Sequence, residues 1–158
     1  MATVKEATSA FLAHKRIAVT GVSRTPQDHG ANAVYRRLRD RGYEAFAVNP
    51  AEKEVEGDPC YHVLGDIPGG VDAVVIATEP DAAEATMREC ADLGIKHTWM
   101  HRALGVDSVC DEATVYGRKH DITVIDGGCP LMFGPTADVG HKAIRLALSL
   151  SGKVPKKV

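Results

Sequence analysis

Neither of the two common phosphate-binding fingerprints occurs in these 158 residues: there is no G-x-G-x-x-G and no G-x-x-x-x-G-K-[ST]. No apolar run approaches the ~20 residues of a membrane span, and the first sixteen residues lack a signal-peptide apolar core. The four cysteines (Cys60, Cys90, Cys110, Cys129) lie 30, 20 and 19 residues apart, so none forms the C-x2-C pair of a zinc or redox site. Reduced thiols in the cytoplasm are the expectation. With 19 basic and 21 acidic residues the formal charge is −2, which gives no global positive field for nucleic acid or an anionic membrane. The only basic cluster, Lys153 to Lys157, reads as a solvated terminus. His97 and His101 have H-x3-H spacing without a third ligand nearby, so no metal site is expected.

What is present is alternation. Short apolar runs rich in β-formers predict strands over Arg16–Gly21, Tyr43–Pro50, Val71–Thr78, Ile95–Met100 and Asp121–Gly128, with a lesser one near Tyr61. Helical spacing predicts helices over Ala31–Gly42, Pro80–Gly94, Gly105–His120 and Thr136–Leu150, with residues 1–12 a lead-in helix or tail. Strands alternating with helices imply βαβ units. The predicted fold class is therefore α/β: a doubly wound, mostly parallel sheet of Rossmann-like topology, helices on both faces, in one domain spanning 1–158.

In such sheets ligands sit beyond the carboxyl ends of the strands. That rule selects five loops: "GVSRTPQDHG", "NPAEK", "TEPD", "HRALG" and "DGGCP". The first ends where a helix begins, so free backbone N–H groups and the helix dipole favour an anion there. Gly21 allows a tight turn, Ser23 and Thr25 offer hydroxyls, and Arg24 can pair with a phosphate. The second argues against plain NAD, because the place of the ribose-binding acid holds Asn49 and Pro50, with Lys53 three residues on. An amide and a lysine suit a phosphorylated ribose.

The runs "IAVTGVSRTP…G", "GYEAFAVNP" and "YHVLGDIPGGVDAVVI", then Trp99 and "DGGCP", resemble the small stand-alone coenzyme A-binding proteins. Their fold is similar to the CoA-binding N-terminal domain of the succinyl-CoA synthetase α subunit. The resemblance runs from about Ala13 to Gly134 and implies residue roles. It puts CoA phosphate on Gly21, Val22, Ser23, Arg24 and Thr25, and the 3′-phosphorylated nucleotide end on Pro50 and Lys53, beside Asn49. It sets Thr78 to Pro80 beside the ligand and Trp99, Met100 and His101 along the pantetheine path. Cys129 and Pro130 fall in the turn that closes the site. The chain departs from many relatives at "HRALG", where a Gln-Gly is common, and at Glu79, where a basic residue is common.

The expected function is binding of CoA or an acyl-CoA without catalysis. The synthetase's phosphohistidine lies on a second domain for which this chain has no room, so ligase activity is not carried over. Two alternatives stay open: an NADP-type oxidoreductase on the same fold, and redox or thioester chemistry at Cys129. Asp138 and His141, at i and i+3, are candidates for an acid/base pair serving that thiol, and each also reads as an ordinary helix residue. Cys129 equally reads as a small residue in a tight turn, Trp99 as core, and Cys90 and Cys110 as core thiols. The apolar face of the last helix could cover the sheet, a second copy or another protein.

Overall fold

The computed structural model describes residues 2–25, 30–103, 106–137, 142–143, 145–146, 150 and 158. Its framework is a seven-stranded sheet in the order β3-β4-β2-β1-β5-β6-β9. These strands are β1 Arg16–Thr20, β2 Glu44–Val48, β3 Glu54–Val55, β4 Asp58–Tyr61, β5 Ala73–Ile76, β6 His97–Met100 and β9 Thr123–Asp126. All neighbours run parallel except β3 against β4 at one edge. The chain winds outward from β1 through β2 and β4, then restarts at β5 on the other side of β1. The order therefore reverses between β1 and β5, which is the predicted doubly wound arrangement.

Alternate strand residues separate two cores, as the two-residue period of a strand requires. Ile17, Val19, Val75, Trp99 and Ile125 face one side. They pack on α1 (Val4–Leu12) and α2 (Gly30–Asp40), which bring Phe11, Leu12, Val34, Tyr35 and Leu38. Ala18, Val74, Ile76, Met100 and Val124 face the other, against Ala83, Met87 and Cys90 of α3 (Pro80–Asp92) and Ala113 of α4 (Asp111–Lys119). Helix α1 is integral to the first core. A capping box starts it, Thr3 Oγ1 accepting from the Glu6 amide at 3.2 Å and the Glu6 carboxylate from the Thr3 amide at 2.7 Å. Phe11 then meets Trp99 edge-to-face, with ring centroids 5.4 Å apart.

Three departures from the sequence reading have local causes. The connection after β2 holds a hairpin, β3–β4, rather than a single strand near Tyr61. Its turn is made by Glu56 and Gly57 at φ of 52° and 81°. Helix α4 starts at Asp111 rather than near Gly105. Ahead of it lies a small antiparallel pair, β7 (Arg102–Ala103) with β8 (Val106–Asp107), pinned by an Arg102–Asp107 ion pair at 3.0 Å. The Val109 amide donates to Asp107 Oδ1 at 2.9 Å, an Asx turn that offers the chain an alternative to helix. Thr136 closes a single 3-10 turn, Gly134–Thr136, instead of opening the last helix. Much of that predicted helix lies outside the described residues, Asp138 and His141 included. Two members of its expected apolar face, Leu146 and Leu150, are 65% and 83% exposed. No helix among the described residues is long and apolar enough to cross a membrane.

Candidate functional site

The strand order reverses between β1 and β5, the place where doubly wound sheets form a ligand crevice, and Gly21 stands at that point. Gly21 donates its amide to the Val48 carbonyl at 3.1 Å and adopts φ +84°, in the left-handed region. A Cβ there would sit 2.5 Å from the Ala77 carbonyl oxygen, so the loops after β1 and β5 approach as closely as only glycine allows.

The β1 loop is tied down by side chains from two other elements. Asn32, buried in the first turns of α2, grips Ser23 like a strand partner. Its Oδ1 accepts from the Ser23 amide at 3.1 Å and its Nδ2 donates to the Ser23 carbonyl at 2.8 Å. Asn32 Nδ2 also donates to Glu56 at 2.7 Å. Asn49, just past β2, donates from Nδ2 to the Val22 carbonyl at 3.0 Å and accepts from the Ala51 amide at 2.9 Å. The Thr25 amide donates to Ser23 Oγ at 3.2 Å. Glu52 completes the ring: its carboxylate accepts from Arg24 Nε at 2.6 Å and faces the Arg24 amide at 3.4 Å and Ser23 Oγ at 3.5 Å.

These contacts revise two expectations. The Ser23, Arg24 and Thr25 amides are not bare, since each has a side-chain acceptor. An acid also stands beyond β2 after all: the Asx turn at Asn49 folds Glu52 back over the β1 loop, where it is 8% exposed. Asn32, Glu52 and Glu56 were missed because none lies in the loop it serves. The one sequence signal is "NPAE", an Asx-Pro turn followed by an acid. Pro50 and Lys53 are exposed at the rim.

The remaining candidates divide. Thr78 is half-buried at the end of β5 with an enclosed hydroxyl, and Pro80 begins α3. The Ala77 amide beside it donates to Thr20 Oγ1 at 3.2 Å, a second tie between the β1 and β5 ends. The His101 imidazole closes the crevice from the β6 side. A Cβ on Gly30, the first residue of α2, would lie 2.3 Å from its Cε1, so the ring packs directly on the helix start. Trp99 and Met100, by contrast, are fully buried on opposite faces of the sheet. Trp99 donates from Nε1 to the Gly127 carbonyl at 3.0 Å. Cys129 and Pro130 are buried at the start of the 3-10 turn Pro130–Met132, Cys129 at 1% exposure within the Trp99 core.

His97 sits at the far end of β6 from His101, so the two imidazoles do not share a site. It packs on His14 instead, with ring centroids 4.5 Å apart, and burial together with that neighbour pushes its pKa down. Among the described residues no three His, Cys, Asp or Glu side chains gather as metal ligands would.

Comparison with known proteins agrees with this geometry. Residues 15–135 match the model of the CoA binding domain family. The uncharacterized protein YneT of Bacillus subtilis is 30% identical over 115 residues, which cover 73% of this chain and 82% of that one. The α subunit of an ADP-forming acetate–CoA ligase from Pyrococcus furiosus is 33% identical over 87 residues, 54% of this chain but 19% of the subunit. The chain thus spans less than a fifth of that ligase subunit. A solved protein from Pyrococcus horikoshii superposes with a TM-score of 0.73 at 23% identity, covering 89% of this chain and 90% of that one. Topology and the span of the family match converge, and the chain belongs to the CoA-binding domain family.

Proposed function

We propose that this chain binds coenzyme A or an acyl-CoA in the crevice between the β1 and β5 ends, and that binding rather than catalysis is its role. The observation that carries the reading is the Glu52 carboxylate. A buried anion held by Arg24 Nε and facing Ser23 Oγ and the Arg24 amide marks the β1 loop as built for an anionic oxygen cluster. Those donors fit a phosphate of CoA, and Gly21 is what lets the β1 loop that carries them turn tightly against the β5 end.

In this reading Arg24, Ser23 and the start of α2 bind the pyrophosphate, while Asn32 and Asn49 hold the loop in shape. Lys53 and Pro50 serve the 3′-phosphorylated ribose from the exposed rim. Thr78 and His101 flank the path of the pantetheine arm, with Trp99 and Met100 supporting it from within the two cores. The burial of Cys129 speaks for a packing role over thiol chemistry, since a thiol in apolar surroundings is unreactive.

Thermal unfolding with ligand tests this. CoA at about a hundredfold over Kd should stabilise the protein by about 2.7 kcal/mol, whereas NADP at equal concentration should leave Tm unchanged. A shift with NADP and none with CoA would favour the oxidoreductase alternative. Arg24→Ala should weaken CoA binding by about 1.5 kcal/mol, the low end for a charge-assisted contact because Arg24 must first leave Glu52. Unchanged affinity in a calorimetric titration would mean that Arg24 makes no phosphate contact.

A further inference from the structure

The site contains an anion of its own. Glu52 keeps 10% of its side-chain surface and Arg24 70%, so the carboxylate is the anchored partner and the guanidinium the movable one. The donors that Glu52 faces are the ones a ligand phosphate would need. Among the described residues nearby, Glu56 is held by Asn32 at 2.7 Å and by Arg36 at 3.0 Å, and Lys53 stands exposed at the rim. A phosphate that reached Arg24 with Glu52 still in place would put two anions on one guanidinium.

We propose, building on the CoA reading, that Glu52 determines which anions the cradle accepts, as a resident carboxylate that an incoming group must displace from Arg24. A ligand carboxylate gains little by this exchange, because it replaces like with like. A phosphoryl group brings more charge and more acceptor oxygens, so it can hold Arg24 and the loop donors together. The barrier is local, since the Asn32 and Asn49 contacts fix the loop backbone whether or not Glu52 stays.

Calorimetric titration of wild type, Glu52→Gln, Arg24→Ala and the double variant with inorganic pyrophosphate, malonate and CoA tests the exchange. Glu52→Gln keeps shape and polarity but removes the competing charge. It should bind pyrophosphate and CoA about three- to tenfold more tightly, a modest gain because Arg24 is largely solvated. Its preference for pyrophosphate over malonate should also shrink. In the Arg24→Ala background the same change should tighten binding by less than about twofold, because no guanidinium remains to be released. Glu52→Asp, which keeps the charge on a shorter arm, should fall between wild type and Gln, and circular dichroism checks that every variant is folded. Unchanged pyrophosphate affinity in Glu52→Gln would overturn the proposal. So would weaker binding, which would make Glu52 an acceptor for a ligand hydroxyl instead. If pyrophosphate tightens while CoA binds no variant, the exchange stands and the CoA reading falls. No binding of any probe to any variant overturns both.

Discussion

Trp99→Ala should lower the free energy of unfolding by about 3–5 kcal/mol, the range for truncating a large buried aromatic. The indole is fully buried, packs edge-to-face on Phe11, and sits 5.4 Å from the Phe133 ring centroid. Its Nε1 also satisfies the Gly127 carbonyl, so truncation leaves both a cavity and an unpaired buried acceptor. The consequence reaches beyond the core. Gly127 and Gly128 form the turn after β9, and the Gly128 carbonyl accepts from the Arg102 amide at 2.9 Å, next to His101. Urea denaturation followed by circular dichroism measures the loss, since the mutation removes the only tryptophan. A loss below about 1.5 kcal/mol would mean that Phe11 of α1, Phe133 and the sheet do not meet at Trp99 as described.

Gly21→Ala should cost about 2–4 kcal/mol of stability and at least tenfold in CoA affinity. Two terms add. An L residue at φ +84° costs about 1–2 kcal/mol on its own. The new methyl would also lie 2.5 Å from a backbone carbonyl oxygen, which cannot rotate aside as a flexible side chain would. Gly57→Ala is the control, because Gly57 has a comparable φ of +81° and a methyl there would meet nothing within 4 Å. It should lose only the conformational term and leave binding intact. Equal costs at the two glycines would show that the β1 and β5 loops are further apart than described.

The division between what the sequence yields and what it conceals follows the range of the interactions. The five parallel strands and the helices between them were readable because each is a local pattern: an apolar run such as "VDAVVIAT", or a Pro-Asp start such as that of α3. The doubly wound class followed, because handedness and crossover rules leave few ways to arrange such units, while the place where the order reverses came only with the structure. What escaped is non-local. Asn32 looks like one more helix residue until its amide is seen gripping Ser23 nine positions earlier. Glu52 reads as part of a charged connection, and only the turn at Asn49 carries it over the β1 loop. The β7–β8 pair was hidden because Arg102 and Ala103 fall in the loop "HRALG", while Val106 and Asp107 also fit a helix that Asp107 and its Asx turn prevent. The H-x3-H spacing of His97 and His101 carried no site in the sequence, and the structure puts a strand length between the two imidazoles.

These points bear on how the cradle works. A loop with bare amides would accept an anion by dipole alone. This loop is held closed by side chains from α2 and from beyond β2, and it presents Arg24 already engaged. Affinity for a phosphate then reflects the difference between two anions at one site, which is why Glu52 and Arg24 must be varied together.

The most direct test of the central claim is a ¹H–¹⁵N correlation spectrum of the labelled protein titrated with CoA. If CoA enters the crevice at the strand switch point, the largest amide shifts fall on Gly21, Ser23, Arg24, Thr25 and Thr78. Gly42 and Gly94, which lead into the opposite ends of β2 and β6, should stay unchanged. Shifts confined to the Gly42 and Gly94 side, or a spectrum unmoved by saturating CoA, would contradict it.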